Sequence, residues 1–251
     1  MKKQLAFVMA PALAVALGSA ASAGPPVQLW DNGPLITTPG GGFGGADVSE
    51  LQTLIGGNIF GYGHQVSAGN RIADDFVVGA GGWHIDTVIF YAYQTSGGIP
   101  STITSVNLNI WDGRPGDGGE NLVGTGTMAS TEWSGIYRAT EEAPLGSARA
   151  IMAQIVTVNI DLAPGTYWFD WQTDGSAALS GPWAPPVTFV GMGGSGNARQ
   201  FTADGWGDAF DDSAGWQDDF PFIVNGTVIP GPAGLMLFAV GGLVASRRRR
   251  K

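Results

Sequence analysis

Between residues 71 and 228 glycine and proline cut the chain into short apolar runs, and several of these runs alternate. Val106, Leu108 and Ile110 alternate with Asn107, Asn109 and Trp111, the period of a strand with one face buried. Over 83–94, Val88, Phe90 and Ala92 share one face while Ile89, Tyr91 and Tyr93 share the other. Further β-branched and aromatic runs lie at 72–78, 122–128, 151–160, 166–172, 187–192, 198–202 and 220–229. Turn signals separate or close them, among them Asp112-Gly113, Pro164-Gly165 and Asn225-Gly226. Only 46–55 and 140–151 have room for a helical turn or two. Nine or ten strands at this spacing predict an all-β fold, a single β-sandwich of jelly-roll type over 71–228. A lead-in at 24–70 carries the first strand or strands, with 40–45 reading as flexible. There is no fixed-period repeat and no second domain.

The two ends follow different patterns. Met1-Lys2-Lys3 is cationic, 5–17 is apolar apart from Pro11, and Ala21-Ser22-Ala23 is a small-x-small cleavage site before Gly24. That is the layout of a secretory signal peptide over 1–23, a short helix removed on export; the alternative is an uncleaved anchor. At the other end, Ile229-Pro230-Gly231-Pro232 leads into 13 uncharged residues, 233–245, and then Arg247, Arg248, Arg249, Arg250 and Lys251. A membrane span needs about 20 apolar residues, so this short hydrophobic helix suits transient insertion in the inner membrane. The terminal cations favour the cytoplasmic side. The alternative is a simple tail anchor.

Together the two ends resemble the PEP-CTERM proteins of Gram-negative bacteria, which pair a signal peptide with a Pro-x-Pro motif, a hydrophobic segment and an Arg cluster. The resemblance covers 229–251 and the leader. It implies export followed by removal of the tail by an exosortase-like membrane protease, in a setting of exopolysaccharide and biofilm. The family usually has an acidic residue between the prolines, where this chain has Gly231.

Charge changes the picture once the ends are set aside. Of 12 basic residues, Lys2, Lys3, Arg247 to Arg250 and Lys251 belong to the ends, leaving five arginines against 21 acids and a net charge of −16 on a lysine-free body. Such a surface repels phosphate backbones, which excludes nucleic acid as a partner class. Cysteine is absent, so disulfides, thiol catalysis and Cys-based metal sites are excluded. The strings at 73–78, 85–94, 110–117, 164–172 and 181–186 are similar to a β-sandwich module of other secreted bacterial proteins, a resemblance that implies fold and setting but no active site.

Three constellations are candidates for chemistry. Asp112, Asp117 and Glu120 lie on a Gly-rich loop and offer hard oxygen ligands for calcium, which takes 6–8 of them; the alternative is a solvated turn in which Arg114 pairs with Asp117. Asp74-Asp75 and Asp211-Asp212 with Asp218-Asp219 are weaker acidic alternatives, and in the first pair neighbouring side chains must face opposite ways. Trp183 and Trp206 sit in loop-like sequence, suited to stacking on sugar rings, against the alternative of packing at the sandwich edge. Of Trp168 and Trp171, on opposite faces of one strand, at least one belongs to the core. The two histidines, His64 and His84, stand in no nucleophile or zinc motif, and no catalytic set is assigned. The sequence therefore favours an exported, non-enzymatic surface or matrix protein, then a carbohydrate- or calcium-binding module, then a cryptic carbohydrate-active enzyme.

Overall fold

Alternating apolar runs and the turns between them produce fifteen strands among the residues described by the computed structural model, 25–188 and 196–229. They are β1 (Val27–Asp31), β2 (Asp47–Leu51), β3 (Tyr62–Gly63), β4 (Arg71–Val78), β5 (Trp83–Thr95), β6 (Ile103–Trp111), β7 (Leu122–Thr140), β8 (Ala150–Leu162), β9 (Gly165–Gly175), β10 (Ser180–Ala184), β11 (Arg199–Thr202), β12 (Gly205–Asp208), β13 (Phe210–Asp211), β14 (Trp216–Gln217) and β15 (Phe222–Val228). The chain is all-β in these residues, with 3-10 turns at Phe43–Gly45, Thr53–Ile55 and Val66–Ala68. No helix among the described residues is long and apolar enough to cross a membrane. The leader with Ala21, Ala23 and Gly24, the tail from Pro230 through Gly231, Pro232 and Arg247 to Arg250, and most of the expected 187–192 strand lie outside the described residues. Ile229 is inside them, and its N–H donates to the Gly82 carbonyl at 2.9 Å.

One hydrogen-bonded path runs β1-β15-β5-β8-β7-β6-β9-β4-β11-β12, with β2 parallel to β7 and β10 bridging β5 and β3. Take the eight strands β1, β4, β5, β6, β7, β8, β9 and β15 in chain order. The first pairs with the last, the second with the seventh, the third with the sixth and the fourth with the fifth, all antiparallel. The path doubles back so that β5 and β15 face β9. Phe90 of β5 lies 4.4 Å from Trp171 and 5.7 Å from Phe169 of β9, and Phe222 of β15 lies 5.2 Å from Phe169. Such ring pairs add about 0.5–1.5 kcal/mol each beyond area burial.

The turn of the path falls at β7, where two glycines face the core. A Cβ on Gly126 would meet Val156 Cγ1 of β8 at 2.7 Å and Leu108 Cδ2 of β6 at 2.9 Å, and one on Gly124 would meet Ile160 Cδ1 at 2.6 Å. Leaving out those side chains lets the strands on either side converge.

Three local expectations change. Asn225-Gly226 is not a turn but an irregularity inside β15, where the register against β5 shifts. The 40–45 stretch is a tied-down bend, with Gly40 N–H donating to Asp47 Oδ1 at 2.8 Å and Gly42 N–H to the Ala46 carbonyl at 2.8 Å. Before β4 the chain also contributes strands to the sheet, β1 paired with β15 and β2 with β7. The 140–151 stretch holds turns and no helix.

Candidate functional site

Period-two alternation and register together build an outward face on β6, β9, β4, β11 and β12. While Leu108, Ile110, Phe169, Trp171 and Ile72 point into the core, their neighbours line up outside. Asn107 stands opposite Gln172, Asn109 opposite Asp170, and Trp111 opposite Trp168. Asp170 is next to Ala73 and, beyond it, Arg199. The row through Arg71 continues to Phe201 and Trp206.

Asp170 organises this face. It is 2% exposed although it points away from the core. Its carboxylate accepts hydrogen bonds from Arg71 Nε, from Asn109 Nδ2 at 3.1 Å and from Trp111 Nε1 at 3.1 Å. One buried anion thus holds three side chains from two neighbouring strands, and charge-assisted bonds of this kind are the strong ones. Beside it, Asn107 Nδ2 donates to Gln172 Oε1 at 3.2 Å, an exposed amide pair. At the far end the Phe201 and Trp206 rings meet edge to face at 5.4 Å.

The loop 112–121 straps over one side of this face, and here the three expected calcium ligands are found. They do not converge. Asp112 accepts from the Asn121 N–H at 2.6 Å and Asn121 Nδ2 at 2.9 Å, bonds that lower its pKa. Glu120 accepts from the Gly116 N–H at 2.9 Å, which lowers its pKa too. Asp117 pairs with Arg199 at 3.0 Å, and Arg114 reaches it only at 3.9 Å because its closer partner is Asp208 at 2.7 Å. Among the described residues no three His, Cys, Asp or Glu side chains are placed to hold a metal ion. The carboxylates instead close the loop upon itself and latch it to β11 and β12.

The strap also decides the fate of the tryptophans. The Arg114 guanidinium lies 5.7 Å from the Trp168 ring centre. Trp168 is therefore covered from outside while Trp171 is covered by the core, and both are buried. Gly116, at φ +89°, lies against Trp206, where a Cβ would approach the indole to 2.7 Å. Trp206 is not on a loop but on β12, half-buried, at the edge of the polar face. Trp183 is likewise on a strand, β10, between β5 and β3, where it packs against the cluster of Leu35, Tyr93, Ile136 and Ile151. The structure thus joins Trp206 with the 112–121 loop and leaves Trp183 elsewhere.

The remaining titratable groups serve other ends. His64 is fully buried, and burial lowers its pKa to about 4. His84, on β5, pairs across the ladder with Asp161 and has Asp86 at 3.6 Å. Asp74 and Asp75 do face opposite ways: Asp74 is fully buried, and burial raises its pKa. Asp211, Asp218 and Asp219 are buried as well. Asp218 accepts from Tyr62 Oη at 2.6 Å and Trp216 Nε1 at 3.2 Å, and burial raises its pKa to about 6.

The Asp170 clamp is what sequence reading missed. Alternation in β6 and β9 shows that Asn109, Trp111 and Asp170 point outward. Only the cross-strand register, with Asn109 opposite Asp170, puts them together. Comparison with known proteins adds no assignment: no family model, curated protein or solved structure matches the chain.

Proposed function

We propose that this is an exported, non-enzymatic protein of the cell surface or extracellular matrix, a jelly-roll β-sandwich delivered by its leader and its PEP-CTERM-like tail. The nested pairing of first strand with last and second with seventh supports the jelly-roll assignment, since rolling up one long hairpin of eight strands produces that order. The observation that carries the functional reading is where the body's ends leave it. Val27 of β1 is paired with Gly226 of β15, so the leader side and the tail side of the chain depart from the same pole. A folded body with that geometry can be held at a membrane by both ends at once, or by either in turn, with its opposite pole and its sheet faces turned outward. The acidic, lysine-free surface suits a hydrated polymer matrix. In this reading the partners are the export machinery, an exosortase-like protease and extracellular polysaccharide.

The test is intact-mass analysis of the protein recovered from membrane and matrix fractions. The expected matrix form starts at Gly24 and lacks Arg247 to Lys251. A matrix form that retains the Arg cluster would overturn the sorting role of the tail.

A further inference from the structure

We infer that the outward face of β6, β9, β4, β11 and β12 is a binding site for a neutral polysaccharide chain. This deepens the reading of an exported matrix protein by giving its body a partner.

The first argument is pre-organisation. An outward sheet face that meets only water needs no buried carboxylate. Here Asp170 is buried on that side and fixes Arg71, Asn109 and Trp111 in place. Binding costs less when the contacting side chains have already lost their rotamer freedom. The exposed Asn107–Gln172 pair then offers amide donors and acceptors beside those fixed groups, a complement to sugar hydroxyls, which also donate and accept.

The second argument is shape. The five neighbouring strands β6, β9, β4, β11 and β12 are four spacings wide, about 19 Å at the usual strand separation. The strap forms a wall along one side of this floor, pinned by Arg114 to Asp208 and by Arg199 to Asp117 and the Pro115 carbonyl. The half-buried rings of Trp206 and Phe201, in contact with each other and with Gly116 of the strap, close one end. A floor with one wall and an aromatic end accepts an extended chain better than a compact metabolite.

The third argument is charge. The body holds five arginines at a net −16, and three of the five, Arg71, Arg114 and Arg199, stand on this face. They offset Asp170, Asp208 and Asp117. With Asp75 and Asp174 on the outward rows and Asp112 and Glu120 on the strap, the face stays acidic like the rest of the molecule, and its cations are occupied by its own carboxylates. An anionic polymer would meet the field of the whole body and find no unpaired arginine among these three. An uncharged chain meets neither obstacle.

The test is affinity electrophoresis of the purified exported protein in native gels containing laminarin, dextran or galactomannan, with alginate as the charged polymer. Retardation by at least one neutral polymer is expected, with no retardation by alginate. Asn107→Ala combined with Gln172→Ala should weaken retention at least tenfold, as should Trp206→Ala. Trp133→Ala, an exposed ring on β7 outside this face, should leave it unchanged. Melting curves verify that each variant is folded, and the amide pair remains informative if Trp206→Ala is not. No retardation by any of the three neutral polymers, retention unaltered by the amide double variant, loss with Trp133→Ala, or preferential binding of alginate would each overturn the proposal. None of these outcomes bears on the mass of the processed protein, so the export reading is judged separately.

Discussion

Replacing Asp218 by Asn should stabilise the protein more at pH 7.5 than at pH 5. Asp218 is buried beside Asp211, and its pKa is raised from 3.8 to about 6, with burial as the main cause. The folded state therefore holds a proton on Asp218 that the unfolded state has released between these two values. Its contribution is favourable in acid and is lost as pH rises through about 6. Over the full range the difference is about 3 kcal/mol, at about 1.4 kcal/mol per pKa unit. Between pH 5 and pH 7.5 the loss is about 1.4 kcal/mol, because at pH 5 only part of the unfolded-state difference is realised. The wild-type stability curve hides this. His64, lowered from 6.5 to about 4, acts oppositely: the unfolded chain takes up a proton that the folded one refuses, and stability falls by about 2 kcal/mol from pH 7.5 to pH 5. The informative quantity is thus the difference between variant and wild type. Asn can accept from Trp216 Nε1 with its oxygen and donate to Tyr62 Oη with its amide, so both partners of Asp218 keep a bond. The assay is thermal melting by circular dichroism at pH 5.0, 6.0, 6.8 and 7.5. The gap in Tm between Asp218→Asn and wild type should widen in favour of the variant by roughly 3–6 °C across that range, from 2–4 °C per kcal/mol for a domain of this size. A gap that stays constant with pH would refute the assignment of a raised pKa to Asp218.

His64→Gln should remove the opposing acid-side loss, so that its melting temperature falls less than that of wild type between pH 7.5 and 5; an unchanged slope would show that His64 is not the group responsible. Gly226→Ala should destabilise by about 3 kcal/mol or more, because a Cβ there would sit 2.0 Å from the His84 carbonyl oxygen and both atoms belong to backbone; urea midpoints read the effect, and a near-wild-type midpoint would contradict the close strand approach. Asp211→Ala should cost about 3 kcal/mol, since the N–H groups of Asn58, Ile59, Ser213 and Ala214 all donate to that carboxylate; hydrogen exchange at those four amides should accelerate first.

The strands were legible wherever alternation or β-branched runs persisted. The patterns at 72–78, 83–94 and 166–172 fall inside β4, β5 and β9. Short strands escaped because they are specified by partners and not by their own residues. Tyr62–Gly63 forms a strand only because Trp183 and Ala184 lie opposite, and the Gly-rich Gly205–Asp208 only because Arg199–Thr202 turns back along it. Asn225-Gly226 read as a turn because that dipeptide supplies the special dihedrals of tight hairpins, yet the glycine is needed for the close approach of the His84 carbonyl. The candidate site divides the same way. Trp206 and the 112–121 loop were visible as residue types, but what they touch was not. The ion pair of Arg199 with Asp117 spans 82 residues and depends on sheet register.

The arrangement of acids explains how a lysine-free, cysteine-free body can keep its irregular segments ordered. With five arginines for 21 acids, most carboxylates have no cation to meet. Several buried ones cap backbone instead. Asp211 takes four N–H groups, Asp219 takes those of Gly196 and Asn197, and Asp74 takes those of Asp75 and Phe220 together with Asn32 Nδ2. Each such carboxylate gathers donors that a loop would otherwise expose or orphan, and hydrogen bonds to a charged acceptor are stronger than neutral ones. The burial penalty surfaces as the raised pKa values of Asp74, Asp218 and Asp219. Among the described residues Arg138 is the one fully buried arginine, and it donates to Ser49 Oγ and to the carbonyls of Glu50, Ile59 and Phe60. Arg71, Arg114 and Arg199 stand together on one sheet face and its strap. A chain using arginine merely for solubility would scatter its few cations, whereas here three lie within one register-matched set of strands around Asp170 and the strap. Their concentration is the physical reason to test that face first for the proposed polysaccharide.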